Sequence, residues 1–297
     1  MRRLLYISCI LLSACAGNKT GQDELFLTNN GGVRIIQLHS LTDTAFTEVW
    51  NWRQEALFDS TDSMFNVFYS VDECKPVRNG SQVLITASWK GGVVLIERET
   101  QKILFYATGL ANAHSAEILP GDKIAVAIST HEQGNRIAIF DLHQSKRQLF
   151  HDSLYSAHGV VWDDERSILW ALGYSELRAY TLKDWNSDTP SLVLKQSFKI
   201  PGRSGHDLQA VPHSSDLFVT EIGHAWLFNR DSNTFRPYQQ IPHSEHLKSI
   251  GMNPSNQQVV YIQGDSSRAN SDHLDFVNPS RTIRFPGVVL YKARWSY

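Results

Sequence analysis

The stretch His114 to Thr130, HSAEILPGDKIAVAIST, has a plan that recurs along the chain, and the spacing of its copies restricts the fold more than any other feature. A polar residue opens a strand, a turn former follows, and a strongly apolar strand comes next. The plan returns at His158, at His206 and at Lys248, with Pro120, Asp164, Pro212 and Pro254 each six positions after the opening residue. Counting back six from Pro76 adds a copy starting at Ser70, so the starts lie 44, 44, 48 and 42 residues apart. Short strands repeating with a period in the low forties are the signature of a β-propeller blade.

Each copy continues into a third strand (Gly92–Glu97, Arg136–Leu142, Leu177–Leu182, His224–Asn229, Gly287–Lys292) and a more variable fourth. Glu24–Thr28, Val33–Leu38 and Thr47–Trp52 read as the second, third and fourth strands of a further blade that lacks its first. The expected fold is all-β, a propeller of six four-stranded antiparallel blades, with five or seven as alternatives. The two chain ends are expected to close the ring together, which removes exposed strand edges. In Lys123–Ser129, Ile124, Val126 and Ile128 take one face while Ala125 and Ala127 take the other. A period of two with both faces apolar describes a sheet buried on both sides, as stacked blades require. The eight tryptophans are expected as filler between blades. Cys74 is expected as a small buried hydrophobe, and Asp163 and the Asp72/Lys75 pair as inter-blade ion pairs.

The N-terminus reads differently. Arg2 and Arg3 precede the apolar run Leu4–Leu12, and Leu12-Ser13-Ala14-Cys15 follows, as in a secretory signal. The ending resembles a bacterial lipobox. That resemblance implies cleavage of residues 1–14, acylation of Cys15 with palmitate-class chains, and a polar tether over 15–23 before a single domain spanning 24–297. Ala16 after the cysteine favours the outer membrane, on its periplasmic side or at the cell surface. Only Cys74 then remains, so no internal disulfide can form. Formal net charge is −2 with no basic block, which argues against a nucleic-acid partner. A monomer is expected.

Propeller geometry gathers the polar residues. Successive strands are antiparallel, so strand-one starts and second-to-third connections share one end of the ring. Ser70, His114, His158, His206 and Lys248 therefore meet at one channel mouth. Asn29-Asn30, Trp89-Lys90, His131-Glu132, Tyr174-Ser175, Glu221–His224 and a long polar loop over Gly264–Pro286 emerge there too. His114, His158, His206 and Lys248 are the candidate catalytic residues, with the histidines as general acid and base and Lys248 binding an anionic group. Glu221, His224, His131, Tyr174 and Asp72 are candidate ligand contacts. Three neutral imidazoles can also ligate one divalent metal (zinc, manganese or iron), with Glu221 as fourth ligand. Alternatively each His hydrogen-bonds the neighbouring blade and locks the ring. No G-x-S-x-G elbow, phosphate-cradling glycine loop, His-Glu-x-x-His or Cys-x-x-Cys occurs, which gives serine-hydrolase and nucleotide chemistry little weight.

HSAEILP (114–120), AHGVVWD (157–163), LWALG (169–173), GHDL (205–208), LKSI (247–250), Asp72-x-x-Lys75 and GGVVLIER (91–98) together resemble a family of bacterial propeller proteins, a domain of unknown function. The resemblance covers most of the mature chain and implies the fold rather than an activity. Ser271-Asp272-His273 departs from the family pattern, where tryptophans are expected. More distantly, channel-mouth histidines resemble those of propeller enzymes such as oligouronate lyases and arylsulfotransferases. Two functions follow as expectations. One is a site that binds or processes a small polar or anionic ligand, such as a uronate or oligosaccharide fragment, by lyase or hydrolase chemistry. The other is a non-catalytic scaffold of the cell envelope.

Overall fold

The computed structural model describes residues 23–56, 65–264 and 270–296. The signal segment, Cys15 and most of the tether lie outside the described residues. Six four-stranded antiparallel sheets form a closed six-bladed propeller. Five blades run innermost to outermost in sequence order, and their inner strands are Glu73–Val77, Ala113–Leu119, Gly159–Asp163, Asp207–Ala210 and Leu247–Met252. The sixth is composite: the C-terminal strand Ala293–Trp295 is its inner strand, paired with the N-terminal strand Glu24–Asn29. The chain ends thus close the ring as the sequence leads one to expect.

Why these strands stack radially is visible in the second blade. Ile124, Val126 and Ile128 pack into a cluster with Leu84, Val93 and Phe105 of the first blade. Ala125 and Ala127, one residue out of phase, pack against Val160, Leu169 and Tyr180 of the third. Period two feeds two different cores, and each buried Ile or Val contributes about 1.5–3 kcal/mol. Small residues on one face let blades approach closely. Gly159 is the extreme case, since a Cβ there would lie 2.6 Å from Leu208 Cβ of the next blade.

The last sequential blade departs from expectation. Its third and fourth strands are His273–Val277 and Arg281–Arg284, not Gly287–Lys292. The stretch from 264 to 286 is therefore mostly blade rather than a lid; within it, residues 265–269 lie outside the described residues. Gly287–Lys292 instead leads into the closing strand. The reason is composition: HLDFV is short and broken by Asp275, and RTIR holds one apolar residue, whereas GVVLYK offers an unbroken apolar run. Cys74 is buried as expected. Trp52, Trp170 and Trp295 fill inter-blade cores, but Trp89 is 78% exposed and fills nothing. Asp163 does bridge blades, reaching Arg230 at 2.7 Å. Asp72 and Lys75 do not pair with each other, because Lys75 binds Glu117 at 2.9 Å and the Val160 carbonyl at 2.6 Å.

Candidate functional site

Backbone hydrogen bonds define which residue each blade sends to the channel mouth. His158 and His206 donate their N–H to the last residue of the second strand, Leu172 and Thr220, both at 2.8 Å. Each thereby bonds the partner of the inner strand's first residue; in the first blade the residue doing this is Asp72, bonded to the carbonyl of Thr86, the partner of Glu73, at 2.9 Å. Asp72 is therefore the equivalent position, and Ser70, which forms an isolated bridge with Asn30, is not. His114 and Lys248 each sit where the ladder slips, between Ala113 and Ser115 and between Leu247 and Ser249. Such bulges re-aim a side chain. Tyr291, just before the closing strand, completes the set, its N–H held by Thr28 Oγ1 at 3.2 Å.

These six side chains meet. The His114 and His158 rings stack with centroids 3.9 Å apart, and His158 meets His206 edge-on at 4.6 Å. Lys248 Nζ lies 2.9 Å from His206 Nε2, and the Tyr291 hydroxyl lies 3.4 Å from the same nitrogen. Asp72 Oδ1 stands 3.6 Å from His114 Nδ1 while its other oxygen accepts the Ser88 N–H at 2.5 Å. The sequence brings all four candidate catalytic residues together and places Asp72 beside them; it did not single out Tyr291, because its repeat is split between the two chain ends.

Directly beneath lies a charged floor. Arg294 reaches Glu73 at 2.9 Å and Asp207 at 2.6 Å, and Lys292 reaches the same two carboxylates at 3.3 and 3.1 Å. All four are buried. Burial alone would raise the Glu73 and Asp207 carboxyls, but Arg294 and Lys292 hold both below the usual carboxylate range.

The mouth residues respond to burial and to these cations. Burial, with Lys292 and Lys248 nearby, pushes the His114 imidazole down to about 3. Burial likewise holds His158 and His206 well below the ordinary histidine range, helped by neighbouring histidines and lysines. Desolvation raises Asp72 to about 6, lowers Lys248 and pushes the Tyr291 phenol far up. At neutral pH the site thus holds three neutral imidazoles and a protonated phenol. Their nitrogens are only partly used. His158 Nδ1 is 3.2 Å from Ser129 Oγ, which itself bonds Ser156, yet His158 Nε2 has no protein partner. His206 Nδ1 also has none, and His114 Nδ1 has no hydrogen bond, only Asp72 Oδ1 at 3.6 Å. Lys248 can only donate, so His206 Nε2 accepts and its Nδ1 carries the proton. Lys248 itself forms no ion pair among the described residues, and its one hydrogen bond is to a neutral ring.

The remaining candidates do not join this group. Glu221 is held locally by the Gly223 N–H at 2.9 Å, by His224 Nδ1 at 3.1 Å and by Trp226 Nε1 at 3.3 Å. It does not complete a ligand set, and among the described residues no three or more His, Cys, Asp or Glu side chains are spaced to hold a metal ion. Stacked imidazoles explain this, since parallel rings do not converge their nitrogens on one point. His224 is mostly exposed, and His131 Nδ1 accepts the Gln133 N–H within its own turn. Tyr174 packs against Tyr155 on the rim, with centroids 5.4 Å apart.

A closed propeller with a polar, blind-floored mouth is the class of protein this architecture defines. Within that class, the chain belongs to the Family of unknown function (DUF6528), whose model matches residues 30–296. No curated protein matches it. Among solved structures, a chain of a nidogen/laminin complex superposes with TM-score 0.63 at 13% identity, covering 92% of this chain and 98% of that one. A functionally unknown protein from Desulfotomaculum acetoxidans gives TM-score 0.58 at 11% identity, covering 86% of this chain and 74% of that one. A candidate 6-phosphogluconolactonase from Bacteroides uniformis gives TM-score 0.58 at 11% identity, with coverages of 90% and 83%. At such identities these likenesses show the fold alone.

Proposed function

We propose that the mouth binds a small anionic polar ligand, a uronate or acidic oligosaccharide fragment, and cleaves it by lyase chemistry. The exported chain would be anchored through lipid on Cys15 at the outer membrane, as its lipobox-like leader suggests, and would act as a monomer. One observation carries the reading: the Lys248 ammonium, without an ion pair among the described residues, lies among three neutral imidazoles of which His158 Nε2 and His206 Nδ1 have no hydrogen-bond partner and His114 Nδ1 faces only Asp72 Oδ1, 3.6 Å away. Buried polar atoms of this kind are costly unless something else satisfies them, and an uncompensated cation selects an anion.

Elimination suits these groups better than hydrolysis. The common glycosidase mechanism needs two working carboxyl groups. Among the described residues Asp72 is the only carboxylate in contact with these imidazoles, and Glu73 and Asp207 are committed to Arg294 and Lys292. In an elimination, His158 Nε2 takes the proton α to the substrate carboxylate and Ser129 orients the ring through Nδ1. Lys248 stabilises the charge developing on the carboxylate. A carbon–carbon double bond forms as the carbon–oxygen bond to the leaving sugar breaks, and the Tyr291 hydroxyl protonates that oxygen. The proton held by His158 then restores the phenol, so no water or co-reactant is consumed. The scaffold alternative needs the imidazoles to be used up by blade contacts, yet only His158 Nδ1 and His206 Nε2 bond to neighbouring blades, which leaves the other ring nitrogens free for a ligand.

The test follows the ultraviolet absorbance of the new double bond across a panel of galacturonate, glucuronate and mannuronate oligomers. Turnover by the wild type, lost by about a hundredfold or more in His158→Gln, is the expected outcome. Equal rates in the two proteins would refute the assignment.

A further inference from the structure

We infer that the binding site continues out of the mouth onto its rim as a set of aromatic platforms, so that the ligand is a chain of several acidic sugar units. This deepens the reading of the mouth as an anion site and rests on it. Among the described residues the exposed aromatic side chains are Tyr69, Trp89 and Tyr155, at 62%, 78% and 60% exposure. All three lie at the end of the ring where the histidines open. Tyr69 and Tyr155 occupy one repeat position, three residues before Asp72 and His158, and Trp89 tips the turn between the second and third strands of the first blade. Tyr174 adjoins Tyr155. Among the described residues, that end also carries exposed Ile222, whereas the turns at the opposite end carry only Leu41 among exposed large hydrophobics.

What surrounds the rings identifies the occupant. Each is next to a hydroxyl in sequence: Ser70, Ser88, Ser156 and Ser175. Lys90 follows Trp89, and Arg203 stands three residues before His206; both are exposed and neither forms an ion pair among the described residues. Protein interfaces favour contiguous apolar area at their centre. Here the rings are few, Tyr155 touching only Tyr174 among them, and hydroxyls and cations stand beside them in sequence. A sugar ring has an apolar C–H face that stacks on an aromatic and a polar edge that meets hydroxyls. A uronate adds a carboxylate for Lys90, Arg203 or Lys248. Continuity with the mouth places one unit against the imidazoles and its neighbours on the rim.

The probes are monomeric and tetrameric galacturonate, glucuronate and mannuronate, with affinity measured by titration calorimetry in the His158→Gln background, where the tetramer is not turned over. At least one tetramer should bind about tenfold or more tighter than its monomer. Trp89→Ala and Tyr155→Ala should each lower that tetramer-to-monomer ratio about fivefold, with unchanged melting temperature because both rings are exposed. A tetramer no tighter than its monomer, or a ratio untouched by both substitutions, overturns the inference. If monomer binding is still lost in Lys248→Met, the anion site survives that failure. If no uronate of either length binds, both readings fall. Changed self-association in the ultracentrifuge, with the ratio intact, would make the rim a protein interface and also overturn the inference.

Discussion

His114, His158 and His206 crowd together because each is held neutral, and that neutrality has a measurable cost in acid. An unfolded histidine takes up its proton near pH 6.5, whereas folded His114 does so only at about 3. The unfolded state therefore binds more protons throughout that window, and stability falls as pH drops through it. His158 and His206, shifted in the same direction, add to the slope. Asp72 works the other way. Its folded carboxyl titrates at about 6 against 3.8 when unfolded, so its contribution is fully present below about 3.8 and is lost as pH rises through 6. We expect the melting temperature to fall steeply between pH 6.5 and 4. His114→Gln should flatten that fall and Asp72→Asn should steepen it, both read from thermal melts across pH. An unchanged slope in His114→Gln would show that the imidazole is not held neutral. Gly159 offers a purely steric counterpart. A Cβ there meets Leu208 Cβ at 2.6 Å, so Gly159→Ala should cost about 1–3 kcal/mol in denaturant titration, with ligand binding affected only through stability.

Among the elements, the closing strand Ala293–Trp295 bears most on the site. Its Arg294, with the preceding Lys292, ties Glu73 of the first blade to Asp207 of the fourth across the channel and so builds the floor on which the imidazoles rest. Replacing Arg294 by Ala leaves two buried carboxylates short of a partner and should destabilise the fold by about 3–5 kcal/mol, measured by urea titration. A loss under about 1 kcal/mol would mean the quartet is not a lock. Strands are also where the sequence was readable to different depths. The inner and second strands stood out because both faces are buried, as Lys123–Ile128 shows. The outer strands His273–Val277 and Arg281–Arg284 did not, since their exposed faces mix His, Asp, Arg and Thr with the few apolar residues. Turn counting from Pro76 chose Ser70 over Asp72 because Pro76 is not a turn residue here: it lies within the inner strand Glu73–Val77, and the turn starts at Arg78, six residues after Asp72.

At the scale of the whole molecule, the fold was almost entirely legible, because a repeat near forty-four residues with alternating burial admits few other architectures. The site was legible only where one repeat position recurs within intact blades. That rule finds His114, His158, His206 and Lys248. It misses Tyr291, whose blade is assembled from both chain ends, and it cannot tell stacked imidazoles from convergent ones, which is why a metal set looked plausible. The ring assembles these residues from five different inner strands and one closing connection, so a ligand held there feels the whole propeller. Binding should accordingly raise the melting temperature of the intact protein, the rise growing with the logarithm of ligand concentration above Kd. The most direct measurement is titration calorimetry of the wild type and Lys248→Met with a uronate and with its uncharged methyl ester. The free acid should bind the wild type, the ester should bind at least about tenfold more weakly, and Lys248→Met should lose the distinction. Equal affinity for acid and ester in the wild type, or full retention of acid binding in Lys248→Met, would contradict an anion site at the mouth.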